Sequence, residues 1–107
     1  MTVTRDVQET IQERIQNDAE FATALLDEAI TLFLNNEPET ARLVLRDLVN
    51  STIGFEALAV EVNTPSKSLH RMLSARGNPT MDNLTKIFSA LQRKLGVDLE
   101  VHAVKQV

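Results

Sequence analysis

Cysteine is absent from this 107-residue chain, and glycine and proline occur only three times each. Without cysteine there can be no disulfide, no thiolate metal ligand and no thiol nucleophile, although the redox compartment stays undetermined. So few glycines leave neither a glycine-rich phosphate loop nor a nucleophile elbow. The apolar runs are too short to span a bilayer, and nothing in the sequence suggests export. We therefore expect a cytoplasmic protein that does not enter the membrane.

Residues that carry enzyme chemistry are too scattered to predict a catalytic or metal site. The only two histidines, His70 and His102, lie 32 positions apart, so they do not form a ligand set. Neighbouring carboxylates at positions 27–28, 37 and 39 fall on predicted solvated helix faces or caps. We expect a non-enzyme with no cofactor, no metal and no small-molecule ligand.

Charge is distributed unevenly along the chain, whose formal net charge is -4. Residues 1–50 hold four Lys/Arg against ten Asp/Glu, giving -6, and residues 51–107 hold seven against five, giving +2. Residues 66–94 alone hold six basic residues and one acidic residue, giving +5. An acidic half joined to a basic segment suggests two different partners.

Hydrophobic spacing predicts helices along most of a single domain, residues 1–107. Asn17-Asp18 offers a cap for a second helix, Pro38 fits the first turn of a third, and Thr80 and Gly96 fit the two ends of the last one. We predict N-terminal helices over residues 1–36, a core over 37–96, and a C-terminal segment over 97–104.

This C-terminal segment differs from the rest because its periodicity is two. Val97, Leu99, Val101 and Ala103 alternate with the residues between them, which predicts a half-buried strand over 97–104. A single strand has no ladder partner. Its partner is therefore a symmetry mate or a different protein, unless the segment is simply a loosely packed tail.

The stretch FEALAVEVNTPSKSLHRMLSARGNPT, residues 55–80, contains two short amphipathic patterns. Leu58 and Val62 lie on the inward face of the first. We predict Thr64 as the N-cap and Pro65 as the first residue of a second helix over 65–75. Two short helices joined by a tight turn form a helix-turn-helix, whose second helix enters the DNA major groove. The alternative is an ordinary solvated helix surface.

A polar face remains exposed on this predicted second helix. Lys67 and Arg71 lie one turn apart and can donate to guanine N7 and O6. Ser66 and Ser68 can serve a base edge or a phosphate, and His70 can reach a phosphate.

The order Leu58-Ala59, three residues, Asn63-Thr64-Pro65 and Leu69 resembles the signature of lambda-repressor-like (XRE-type) helix-turn-helix domains. The segments DAEFATALLDEAI, ARLVLRDLV and GNPTMDNLTKIFSALQRKLGVDLEV are similar to the addiction-module antidote (antitoxin) branch, so that the resemblance covers residues 17–101. It implies a mostly α fold: a lambda-repressor-like helix-turn-helix bundle with extra N-terminal helices, here with one C-terminal β-strand. Asn63 replaces the family's turn glycine, and asparagine tolerates positive φ well.

Members of this family look like DNA-binding antitoxins that repress their own operon and neutralise a ribonuclease-type toxin of the RelE/ParE fold. Carried over by position, the base-reading slots fall on Ser66, Lys67 and Arg71. The slots that approach phosphate fall on Arg76, Asn78 and Thr80.

The acidic half carries candidate toxin contacts, because such a toxin has a positively charged RNA cleft and charge complementarity selects partners. The candidates are Asp18, Glu20, Asp27 and Glu28; the plain alternative is a charged surface that aids solubility. We therefore expect a homodimeric, sequence-specific transcription regulator that represses its own operator in double-stranded DNA and acts as an antitoxin. The alternative is a protein-interaction module that neutralises a toxin, with weak or no DNA binding.

Overall fold

The computed structural model describes residues 5–107, with side chains from residue 10 onward. This part of the chain forms six α-helices, and the prediction of a mostly helical fold is confirmed. The helices are α1 (Arg5–Asn17), α2 (Ala19–Leu34), α3 (Pro38–Ser51), α4 (Phe55–Val62), α5 (Ser66–Met72) and α6 (Met81–Leu95). None of these helices combines the length and the apolarity that a bilayer crossing needs.

One hydrophobic cluster joins side chains from every helix. Helix α2 packs along α3, and α4 contacts α3, α5 and α6. Burial of each large aliphatic side chain stabilises the fold by about 1.5–3 kcal/mol. The largest side chains less than 2% exposed are Leu26, Leu45, Leu48, Leu58, Leu69, Leu73, Ile87, Leu91 and Val49. Leu34, in the last turn of α2, is 64% exposed.

Local signals at the helix ends are mostly confirmed. The Asp18 carboxylate caps α2 by accepting the N–H of Phe21 at 3.1 Å, and Thr80 Oγ1 caps α6 by accepting the N–H of Asn83 at 3.1 Å. Pro38 begins α3, where its missing N–H costs nothing. Gly96 ends α6 with a left-handed backbone, at φ 69°.

The turn between α4 and α5 corrects one prediction. Asn63 has the expected left-handed backbone, at φ 52°, and its N–H donates to Val60 O while the Thr64 N–H donates to Ala59 O at 3.0 Å. This pair of bonds is a Schellman motif that closes α4. Thr64 therefore belongs to the end of α4, and its hydroxyl donates back to Val62 O. The predicted Thr64 cap is wrong: Pro65 is the N-cap, and α5 begins at Ser66 and ends at Met72.

Residues 97–107 contain neither helix nor strand, and no strand occurs in residues 5–107. The Leu99 N–H donates to Gln92 Oε1 at 3.0 Å, and the Val97 and Leu99 side chains pack against the core. The predicted strand is thus not confirmed within one chain, since a strand needs a neighbour for its ladder.

Candidate nucleic-acid interface

Helix α5 is held by its apolar side so that its polar side faces outward. Leu69 and Leu73 are 1% and 0% exposed and lie in the core, whereas Lys67, His70 and Arg71 are exposed. Because residues i and i+4 share a helix face, Lys67 and Arg71 project side by side. The burial of the leucines fixes the direction in which these two cations point.

The cations on and after α5 have no intrachain counter-charge. Among residues 10–107, no ion pair and no side-chain hydrogen bond engages Lys67, Arg71, Arg76 or Lys86, and all four are exposed. Arg93, by contrast, is paired: its Nη2 lies 2.6 Å from Glu61 Oε1. Arg93 counted toward the +5 of residues 66–94, so the free positive charge of this segment is smaller than its sequence suggests.

Ser66 is already bonded to an acidic neighbour. Its hydroxyl donates to Glu56 Oε1 at 3.1 Å, and Glu56 lies in the first turn of α4. A carboxylate beside the first residue of α5 opposes a phosphate and can accept a hydrogen bond from cytosine N4. The sequence gives no sign that Glu56 belongs to this site, because its relation to Ser66 depends on the angle between α4 and α5.

His70 stacks on Phe55, with ring centroids 3.9 Å apart and an interplanar angle of 20°. Phe55 is 5% exposed, so the imidazole rests on a rigid platform while one side of it faces solvent. This contact orients His70 before any ligand arrives. Ser68, the other predicted phosphate contact on α5, is half-buried and lies on the flank of the helix.

Arg42 connects α3 to the end of α5, a contact that the sequence did not reveal. Its Nε donates to Ser74 O at 3.0 Å, and its Nη2 donates to Ala75 O at 2.7 Å. These carbonyls follow α5, where helix ends leave acceptors unsatisfied. Arg42 thus fixes the C-terminal side of α5 and the start of the loop that carries Arg76.

The loop after α5 is tightly folded onto that helix. A Cβ atom at Gly77 would lie 2.0 Å from Met72 O and 2.6 Å from Arg71 O, so only glycine fits this approach. The neighbouring Arg76 and Asn78 are exposed, as is Thr80. Thr80 uses its oxygen for the α6 cap and keeps its hydroxyl hydrogen for another acceptor.

The acidic candidates do not form one uniform group. The Asp18 carboxylate already caps α2, and it lies 3.9 Å from the Arg14 guanidinium. Glu20 and Asp27 flank a mostly apolar cleft of about 440 Å³ whose floor includes Ala24, Leu95 and Val97. Glu28 is exposed on the same helix but does not line this cleft.

Residues 10–107 contain no group of three or more His, Cys, Asp or Glu side chains that could hold a metal ion. Comparison of the chain with protein-family models, with curated proteins and with solved structures finds no match.

Proposed function

We propose that this protein is a sequence-specific DNA-binding transcriptional regulator, in which α4 and α5 act as a lambda-repressor-like helix-turn-helix. The observation that carries the proposal is the pair Lys67 and Arg71. Both are exposed one turn apart on α5 and lack an intrachain partner, while Leu69 and Leu73 anchor the opposite side. Unpaired cations on a rigid outward helix face suit the major groove, where Arg and Lys donate to guanine.

Within this proposal the remaining polar groups hold the phosphate backbone. Phosphate contacts position a protein on the duplex, and base contacts specify the sequence. Arg76 provides a free cation and His70 an oriented ring, while Ser68, Asn78 and Thr80 provide neutral donors. Ser66 can donate to a base only if its hydroxyl gives up, or shares between two acceptors, its hydrogen bond to the Glu56 carboxylate.

The resemblance of residues 17–101 to antitoxins supports a more specific role: a homodimer that represses its own operon by occluding the promoter, in which residues 97–104 form a strand with a neighbouring chain. A two-fold dimer presents two copies of α5 and therefore fits a palindromic operator.

The proposal is tested by binding to a labelled duplex of the protein's own upstream region, at two salt concentrations and with random duplex as competitor. Specific binding should survive competition and fall steeply with salt, because phosphate contacts release counterions. Arg71→Ala should cost about 1–3 kcal/mol on the specific duplex, whereas Arg76→Ala should weaken all duplexes alike.

Lys94→Ala is the matched control. It removes the same charge from an exposed residue that lines a different cleft, beside α1 and α2, and should leave binding nearly unchanged. Binding that competitor abolishes, or equal binding by the Arg71 variant, would contradict the proposal.

A second function, neutralisation of a toxin, is favoured by the cleft beside Glu20 and Asp27. An apolar cleft with an acidic rim suits a hydrophobic segment flanked by basic residues. Charge reversal at Glu20, Asp27 and Glu28 should reduce recovery of the adjacent gene's product in a pull-down. Asp18 should be left intact because its reversal would remove the α2 cap. Unchanged recovery would reject this function.

A further inference from the structure

The segment after α6 has an unusually bare backbone. Past Leu99, no backbone N–H or C=O of residues 100–107 makes a hydrogen bond within the described chain. Val101 and Val104 are 68% and 85% exposed. Unpaired backbone groups next to exposed β-branched side chains form a template for pairing with another strand.

This segment and α2 leave an uncovered cleft between them, with a volume of about 420 Å³. Ile30 and Leu34 line it from α2, and Leu99 and Val101 line it from the segment. Leu34 is 64% exposed, in agreement with an open apolar wall. A second strand laid beside the first would cover part of this surface.

We propose that residues 97–105 of two copies of this chain pair as antiparallel strands about a two-fold axis at Val101. The inference rests on the dimer of the proposed function but not on DNA binding. Residues directly opposite in an antiparallel pair share a face of the sheet. A register centred on an odd-numbered residue therefore brings Val97, Leu99, Val101 and Ala103 of both copies to one side.

The charges of residues 97–105 favour a second copy of this chain as the partner of the strand. Asp98 and Glu100 make the first half of the segment acidic, and His102 and Lys105 lie in the second half. Antiparallel pairing places the acidic half of one copy beside the second half of the other, whereas parallel pairing would align like with like. Within one chain His102 Nε2 lies 3.3 Å from Glu100 Oε2, so these two side chains share a face, as the alternation requires.

The same charges favour this register over those centred on residues 99 and 100. With the axis at Val101, Glu100 of each copy lies opposite His102 of the other. An axis at Leu99 would set Asp98 opposite Glu100, and an axis at residue 100 would set Glu100 opposite Glu100. Like charges directly opposite are destabilising.

Single cysteines test the register without DNA, because the chain has no other thiol. Opposite α-carbons lie about 4.5–5.5 Å apart, within disulfide range. On mild oxidation Val101→Cys should give a linked dimer on a non-reducing gel. Val104→Cys is the matched exposed control, since its two copies would be about 20 Å apart at 3.4 Å per residue. Equal linkage of the two variants, or none, would overturn the proposal.

Charge exchange tests the pairing by a second route, with the dimer dissociation constant measured by sedimentation equilibrium. His102→Glu should raise this constant about two- to thirtyfold, because each of two sites then sets carboxylates opposite each other. Adding Glu100→Lys should restore dimerisation, since every pair becomes Lys opposite Glu. No weakening by the single change, or no rescue by the double change, would contradict the register.

These results are separable from DNA binding. A linked Val101→Cys dimer that binds no operator would support the strand pairing and reject the proposed regulator. A monomer that still binds its operator specifically would reject the strand pairing alone.

Discussion

Glu56 lies outside α5 but changes the polar face that α5 would present to DNA under the proposed function. The carboxylate holds the Ser66 hydroxyl at 3.1 Å and adds negative charge where a nucleic acid would approach. Two exposed unit charges about 4 Å apart interact by about 1 kcal/mol in water. Glu56 therefore opposes phosphate unless it reads a cytosine itself.

We predict that Glu56→Gln strengthens binding to specific and random duplex alike, by about two- to fivefold at low salt. The glutamine keeps an oxygen for Ser66 and removes the charge. Titration of labelled duplex measures the change, with Glu39→Gln, exposed in the first turn of α3, as the control for net charge. Weaker and less selective binding would instead assign Glu56 a base contact.

Asp47 is the residue for which burial sets a pH dependence. Desolvation by burial raises the pKa of its carboxyl above the usual 3.8, and the neighbouring Arg46 guanidinium offsets part of this rise. A raised pKa in the folded state means that folding favours the neutral form. The stability contributed by this group is present below the unfolded pKa and is lost as pH rises through the folded pKa.

We predict that Asp47→Asn raises the melting temperature at pH values near neutral, because the amide has no charge to desolvate. The gain should shrink as the pH falls toward the ordinary pKa of an aspartate, where wild-type Asp47 is itself protonated. Thermal melts across this pH range measure the effect, with the exposed Asp27→Asn as the charge control. A gain that stays constant with pH would show that packing, and not ionisation, causes it.

At the scale of the element, α5 depends on α3 for its position. Seven residues make a short helix, and isolated helices of this length are unstable in water. Leu69 and Leu73 hold its inner side, and Arg42 holds the carbonyls that follow it. The direction of the outward cations is thus a property of the assembled helices.

We predict that Arg42→Met destabilises the protein by about 1–3 kcal/mol, because two charge-assisted hydrogen bonds are lost while the aliphatic stem is kept. Urea unfolding measures this cost. Hydrogen exchange should accelerate at the amides of Ser74 and Gly77. These amides donate to Arg71 O and Ser74 O, in the turn whose carbonyls Arg42 holds. Arg42→Lys, which keeps the charge and one donor group, should show a smaller loss; equal losses would mean that the paired geometry is unimportant.

The contrast between local and distant contacts explains what the sequence could predict. Asp18, Thr80, Gly96 and Asn63 were predicted correctly because their roles depend on backbone within three or four residues. The predicted Thr64 cap was wrong because a threonine at this position can serve either the end of α4 or the start of α5. In the structure the hydrogen bonds of Thr64 close the end of α4. The Arg42 contacts, 32 and 33 residues away in the chain, follow from the packing of helices and have no sequence signal.

For the candidate site residues too, the sequence predicted local features but not contacts between helices. Helical periodicity correctly predicted that Lys67 and Arg71 are exposed. It could not predict that Phe55 would support His70, because that stacking depends on the crossing of α4 and α5. The strand over 97–104 stays a prediction, since its ladder must come from another chain.

At the scale of the whole molecule, charge separates the surfaces that the two proposed partners would use. Exposed cations without an ion pair occur on α5, in the following loop and on α6, and exposed carboxylates occur along α2 as well as at Glu56 and Asp82. Under the proposed function, the exposed cations near α5 would attract DNA locally despite the net charge of -4.

A dimer joined through its C-terminal segments imposes a fixed spacing on the operator. Two recognition helices related by a two-fold axis meet successive major grooves on one side of the duplex, about 34 Å or one helical turn apart. We predict that the operator contains two inverted half-sites with this spacing. Insertion of about half a turn between them should lower affinity to the level of a single half-site, because the second α5 would then face the opposite side of the duplex.

Insertion of a full turn is the control for the length of DNA, and footprinting with spacer variants measures both. If the strands form a rigid link, the full-turn variant should also lose affinity, since the two helices cannot separate by a further 34 Å or so. If affinity is independent of every insertion, each copy binds alone and the two-fold arrangement on DNA is wrong. Loss for the half turn with recovery for the full turn would show a flexible link between the two copies.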